Sequence, residues 1–254
     1  LLPIHQSQSI SLPPHKPNMN YAIIAAGEGS RLRQEGVELP KPLVMLDGRP
    51  MIGRLIDIFM SCNPESLTVI VNEQMTEVAD YLRSLRLPVP LRLVVKSTPS
   101  SMHSFYEVSR ALPADAASGK FCLTTVDTIF RQPDFMSYIS AFEADSEADG
   151  YMAVTPFIDD EKPLYVATGT DMRITGFLDA PADGVKYVSG GIYGLTAPAI
   201  KVLDDCMARG VARMRNYQRA LVEAGLRLRA YPIEKIVDVD HASDIPGAEA
   251  FIRS

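Results

Sequence analysis

No apolar run in this chain of 254 residues comes near the length of a membrane-spanning helix. No basic segment followed by an apolar one marks a secretory signal at its start. These absences exclude a helical membrane protein and point to the cytoplasm. Cysteine is scarce. Cys62, Cys122 and Cys206 are odd in number and far apart, without metal-ligand spacing. That excludes a disulfide framework and fits reduced, buried thiols. Positive charge is in deficit, 25 Lys and Arg against 31 Asp and Glu, so the broad basic face of a nucleic-acid binder is missing. A small anionic substrate stays open, since a few local cations and a metal suffice to hold it. The tripeptide Gly-Lys-Ser/Thr is absent too, which excludes a P-loop.

What is present fits a globular protein: 46% hydrophobic and 22% charged residues, ordinary values. The length is at the upper end for one domain and allows roughly 70–75% of the unfolded surface to be buried. Residues 1–18 are rich in Pro, Ser, Gln and His without periodicity. They read as an N-terminal extension, or as residues upstream of a start at Met19, and the fold is expected as a single domain over 19–254. Strand-like runs at 21–26, 67–71, 91–95 and 121–126 alternate with helical patterns at 51–62, 75–87 and 101–112. In the first helix, apolar residues at 51, 52, 55, 56, 59 and 60 mark a core face. This alternation predicts an α/β fold with a mostly parallel central sheet and helices on both faces. The second half differs. Shorter strands at 151–155, 165–169, 173–178 and 188–195 precede helices at 197–209 and 214–224. Strands near 226–231 and 236–239 and a last helix from 243 close the chain.

Catalysis in such sheets sits at the carboxyl ends of the strands. The first strand breaks there into Ala25-Ala26-Gly27-Glu28-Gly29-Ser30-Arg31-Leu32, and Pro40-Lys41-Pro42 comes after it. Glycines let backbone N–H groups approach phosphate oxygens. Arg31 can grip two oxygens, and Lys41 adds a point charge. A dinucleotide fingerprint wants a third glycine where Leu32 stands.

This stretch resembles the signature of the nucleotidyltransferases that make activated sugars: Ala-Ala-Gly-x-Gly-Ser/Thr-Arg-Leu, a variable loop, then Pro-Lys. The resemblance implies a Rossmann-like three-layer α/β/α fold. The implied reaction is NTP plus a phosphomonoester giving an NDP-activated compound and pyrophosphate, with Mg²⁺ as cofactor. Ala25, Ala26, Gly27, Gly29, Ser30, Arg31 and Lys41 are then nucleotide-binding, with Arg31, Lys41 and Asp127 catalytic. Asp127, at the end of the strand 121–126, matches the family's metal-binding Asp; capping the helix or turn after the strand is the other role open to it. In Ile236-Val237-Asp238-Val239-Asp240 two acids one residue apart point the same way from a strand. Asp238 is the first choice for a second metal ligand and Asp240 the second, with helix capping as Asp240's alternative.

The family reads its nucleobase after the third strand, where this chain has Ser100 and Ser101 in Thr98-Pro99-Ser100-Ser101-Met102-His103. Lys186-Tyr187-Val188-Ser189-Gly190-Gly191-Ile192-Tyr193 resembles the strand that lines the acceptor pocket. The family's Glu-Lys-Pro before it is replaced by Asp179-Ala180-Pro181, so its lysine is absent. The acceptor-binding candidates are Asp179, Lys186 and Gly191. Glu161-Lys162-Pro163 has the right letters but precedes a strand pair and reads as a surface turn. Arg213 and Arg215 read as a solvated helix face with an acceptor anion in reach.

The expected partners are thus an NTP and a small phosphorylated acceptor, a sugar 1-phosphate ahead of phosphocholine-like or alditol phosphates used with CTP. Nucleic acid and membrane are not expected. A non-catalytic nucleotide-binding regulator on the same fold is the rival from another class.

Overall fold

The computed structural model describes residues 19–159 and 161–254; the segment 1–18, read above as an extension, lies outside them. In chain order the strands are β1 (Asn20–Ala25), β2 (Met45–Leu46), β3 (Arg49–Pro50), β4 (Ser66–Val71), β5 (Leu91–Val95), β6 (Lys120–Thr125) and β7 (Thr128–Ile129). They continue with β8 (Gly150–Thr155), β9 (Tyr165–Thr168), β10 (Ile174–Leu178), β11 (Tyr187–Thr196), β12 (Leu228–Pro232) and β13 (Val237–Asp238). The helices are α1 (Ser30–Gln34), α2 (Met51–Met60), α3 (Thr76–Ser84), α4 (Ser101–Ala111), α5 (Ala114–Ser118) and α6 (Gln132–Ala144). α7 (Ala197–Ala208), α8 (Met214–Glu223) and α9 (Asp244–Arg253) complete the set.

The strands expected from the sequence all form. Between 127 and 150 the sequence pattern assigned nothing, and there the structure has α6, which starts with Pro133 in its first turn, where a missing N–H costs no hydrogen bond.

β6, β1, β4 and β5 lie side by side and parallel. All six residues of β1 are buried, as expected of a strand covered on both faces. Its side chains alternate between two cores. Ala22 and Ile24 meet α4, α7 and α8 in one. Tyr21, Ile23 and Ala25 meet α2, α3 and α6 in the other. The result is the three-layer arrangement expected. Chain order runs outward from β1 through β4 to β5, then returns to place β6 on β1's other side. The carboxyl ends of β1 and β6 therefore flank the crevice where such sheets bind ligands.

The second half extends the same sheet with antiparallel strands. The end of β11 pairs with β6 over Ile192–Thr196, and its start pairs with β9 through Tyr187 and Val188. β8 pairs with β11 and with β12. Between Ser189 and Tyr193 the β11–β8 register shifts. At that irregularity Gly191 has φ +72°, and a Cβ would run into the Thr128 hydroxyl. A third, smaller core joins Leu32 of α1 to Val237, Val239 and Phe251 of the C-terminal segment. It holds the chain's last elements against its first loop.

Candidate active site

A cleft of about 520 Å³ opens where β1 and β6 end. Ala26, Gly27, Glu28, Gly29, Ser30 and Arg31 form one wall, and Thr98 to Ser101 and Ser104 form another. Thr125, Val126, Asp127, Lys41 and Asp240 line the rest. Of the nucleotide-binding residues expected, Ala25 alone is not at the cleft. It is the next alternating position on β1, so it faces the opposite core. Gly29 is required by two features: its φ is +60°, and an added Cβ would lie 2.8 Å from Lys41 Cβ. Lys41 is thus pressed against the glycine loop. Ser100 precedes α4 without capping it. Its Oγ instead pairs with His103 Nδ1 at 2.8 Å and accepts the Arg213 N–H at 3.2 Å.

Charge at the cleft is concentrated in one cluster. Lys41 Nζ donates to Asp127 Oδ2 and to Asp240 Oδ1, each at 2.6 Å. Arg31 donates to the other Asp240 oxygen at 3.1 Å. The Lys41 side chain is only 10% exposed. Burial alone would lower its pKa, but the two carboxylates outweigh that and carry it upward. Burial likewise pushes the Asp127 carboxyl up, and the adjacent Lys41 ammonium more than reverses the shift.

The second acid that Lys41 binds in this cluster is Asp240. β13 ends at Asp238, and the rule that alternate strand residues share a side stops there. Past it, the Asp244 carboxylate accepts the N–H groups of Asp240 and His241 at 2.9 and 2.7 Å. Glu35, at the end of α1, pairs with His241 Nδ1 and accepts the Ala242 N–H, both at 2.6 Å. These contacts aim Asp240 at Lys41, and neither Asp240 nor Asp244 caps α9, whose N-cap is Ser243 without a side-chain hydrogen bond. Asp238 lines the neighbouring cavity. Among the described residues no three His, Cys, Asp or Glu gather as a metal cage. Asp127 and Asp240 offer two carboxylates on one cation, a donor set that fits Mg²⁺, which is held by one or two carboxylates together with waters and substrate phosphates.

A second cavity, of about 500 Å³, adjoins the first. Arg31, Ser101, Thr125, Asp127 and Asp240 line both. Beyond that shared wall stand Thr128, Ser189, Gly191, Tyr193, Gln218 and Asp238, with the cations Lys162, Arg213 and Arg215. Gln218 is buried and accepts from Ser189 Oγ at 3.1 Å. Burial raises the pKa of Tyr193, and the nearby Asp238 and Asp127 carboxylates add to the rise.

Of the acceptor candidates, Gly191 lines this cavity. Lys186 is exposed just before β11 and lines neither cavity. Asp179 is also outside. It binds Arg215 and Arg219 at 2.8 Å each, and these arginines hold its carboxyl below the usual range. Lys162, read as part of a surface turn, reaches the cavity wall because Arg215 holds its carbonyl at 2.9 Å. Arg213 and Arg215 line the cavity as well. The usable signal was their position at the start of a predicted helix, on the sheet's ligand-binding edge.

A family model described as the MobA-like NTP transferase domain matches residues 21–180. The chain is 23% identical over 247 residues to the bifunctional protein GlmU of Thermodesulfovibrio yellowstonii, covering 92% of this chain and 52% of that protein. It is 30% identical over 102 residues to the bifunctional protein GlmU of Neisseria meningitidis serogroup C, covering 40% and 20%. The chain thus spans about half the length, or less, of these curated relatives. Among solved structures it resembles the inositol-1-phosphate CTP transferase of T. maritima, with a TM-score of 0.77 at 19% identity over 94% of this chain and 98% of that one. It also resembles a Bacillus anthracis protein assigned as a glucose-1-phosphate thymidylyltransferase, with a TM-score of 0.79 at 18% identity over 93% and 96%. At these identities the structural likeness is one of fold.

Proposed function

The chain belongs to the MobA-like NTP transferase family, and from that membership we propose that it joins an NTP to a sugar 1-phosphate, giving an NDP-sugar and pyrophosphate. One observation carries the reading. Two cavities of similar size share a wall made of Arg31, Asp127 and Asp240, as a reaction needs when two substrates must meet at one charged centre. A nucleotide lies in the first cavity, with its phosphates toward the loop 27–30, Arg31 and Lys41. The acceptor lies in the second. Its phosphate is already ionised at neutral pH, so no strong general base is needed, and catalysis consists of positioning and charge stabilisation.

Asp127 and Asp240 are the residues that would hold Mg²⁺. Bound there, the ion would neutralise charge on the reacting α-phosphate and the leaving pyrophosphate. Lys41 and Arg31 orient the triphosphate, and Ser100 and Ser101 face the nucleoside. The activities that similar proteins are named for, inositol-1-phosphate CTP transfer and glucose-1-phosphate thymidylyl transfer, support a polyhydroxy phosphate as acceptor. So does the second cavity. Its wall carries hydroxyls and an amide, with Tyr193 as its one aromatic side chain among the described residues. Recognition of a quaternary ammonium such as choline uses a cage of aromatic faces.

The test is pyrophosphate release with Mg²⁺ over a grid of five NTPs against sugar 1-phosphates, alditol phosphates and phosphocholine. A sugar 1-phosphate is expected to give turnover, reduced at least ~100-fold in Asp127→Ala, as when one preorganised electrostatic group is lost. Turnover with phosphocholine alone would overturn the acceptor class. NTP binding with no turnover anywhere would favour a regulatory protein.

A further inference from the structure

Arg213 combines two features. Its backbone has φ +72° and ψ 138°. That is outside the small left-handed region open to L-residues, in territory that favours glycine. Such a conformation persists only where the surroundings enforce it, and it clusters at functional sites. Here both sides are fixed. The Arg213 N–H is bound by Ser100 Oγ at 3.2 Å, and its carbonyl accepts from Asn216 and Tyr217 as α8 begins. Tyr217 is buried and donates to the Ala199 carbonyl at 2.8 Å.

The second feature is the side chain. Arg215 and Arg219, on the same helix, both bind Asp179. Arg213 is exposed, and its guanidinium has no hydrogen bond or ion pair among the described residues, yet Arg213 lines the second cavity. A cation held by a strained backbone at the cavity wall, and left without a counter-ion, is arranged for an anion that arrives with a ligand.

We propose that Arg213 grips the phosphomonoester of the acceptor, in place of the lysine missing after Leu178. This rests on the reading of the second cavity as the acceptor site. A guanidinium can bind two oxygens of one phosphate at once, which fixes the angle of the third, attacking oxygen as well as its distance. Ser100 adds a link to the nucleotide, since it lines the first cavity and binds the Arg213 N–H. The acceptor clamp is therefore anchored to the wall of the nucleotide cleft.

The test uses Arg213→Gly and Arg213→Lys in the full chain. Glycine adopts φ +72° without strain, so Arg213→Gly is expected to keep or raise Tm. Its KM for the sugar 1-phosphate should rise at least 10-fold with KM for the NTP within twofold, and Arg213→Lys should recover part of the loss. A fall in Tm with both KM values changed would mean a structural role and overturn the proposal, as would an unchanged acceptor KM. Titration of inorganic phosphate into both proteins gives a readout that does not depend on turnover. If the wild type releases no pyrophosphate, the reaction reading fails. The Arg213 assignment then stands on weaker phosphate binding by Arg213→Gly, and equal binding by the two proteins overturns it.

Discussion

Replacing Lys41 by methionine keeps a long side chain and removes the ammonium that Asp127 and Asp240 share at 2.6 Å each. Breaking a fully buried ion pair from one side costs ~3–5 kcal/mol. Lys41 is 10% exposed, but the carboxylates are 26% and 32% exposed, and solvent screens their repulsion. The expected loss is therefore below that range, ~2 kcal/mol. For a chain of this size each kcal/mol moves Tm by about 2–4 °C, so Tm in EDTA should fall by about 4–8 °C. The same substitution frees two carboxylates for a divalent cation. Millimolar Mg²⁺ or Mn²⁺, without nucleotide, should restore most of the lost Tm in Lys41→Met and move the wild type little. Titration of Mn²⁺ by electron paramagnetic resonance should show tighter binding by the variant, although its turnover is abolished. Equal metal binding by both proteins would refute the reasoning, because Lys41 would then not compete for the carboxylates.

Two further outcomes are expected. Asp240→Asn should cut turnover at least ~100-fold, whereas Asp238→Asn should act mainly on the acceptor KM; steady-state kinetics with each substrate varied decides it, and the reverse pattern would restore Asp238 as the metal ligand. His241 is bound to Glu35, which raises the imidazole pKa above its usual 6.5. A raised folded-state pKa gives stability that is fully present below pH 6.5 and is lost as pH climbs through the folded value. The Tm advantage of wild type over His241→Gln, measured without metal, should therefore shrink from pH 6 to pH 9, and a constant difference would mean that the pair contributes no charge.

The cleft where β1 and β6 end was legible in the sequence because its parts are local. One strand, one turn and one lysine supply most of it within the stretch 25–41, and Asp127 ends an obvious strand. The second cavity was not, because its wall comes from the turn holding Lys162, an irregular stretch of β11 and the start of α8. Lys162 looked like part of a surface turn because nothing near it in sequence tells of Arg215, which holds its carbonyl. Asp240 was ranked second because it stood next to the last helix, where capping was its other open role, and the alternation that put both acids on one side ends with β13 at Asp238. What aims Asp240 is a pair of carboxylates, Asp244 four residues ahead and Glu35 just past α1, the latter by holding His241 and Ala242, which periodicity does not register. α6 went unread although Phe135, Tyr138, Ile139 and Phe142 recur at helical spacing and form its buried face, because Met136 and the alanines spread apolar residues over its other faces.

β11 takes part in both halves of the molecule. Its last five residues are laced to β6, whose end presents Asp127, while its first residues are laced to β9 and β8 beside the second cavity. Swinging one cavity toward the other would tear this shared ladder. With the substrates seated as proposed, the spacing between donor and acceptor is therefore built in when the chain folds, like the gap of a fixed caliper. An acceptor with a longer reach between its phosphate and the groups that anchor it has to be met by changes in the turn that carries Lys162 or at the start of α8. Those two places are where relatives with different acceptors should differ.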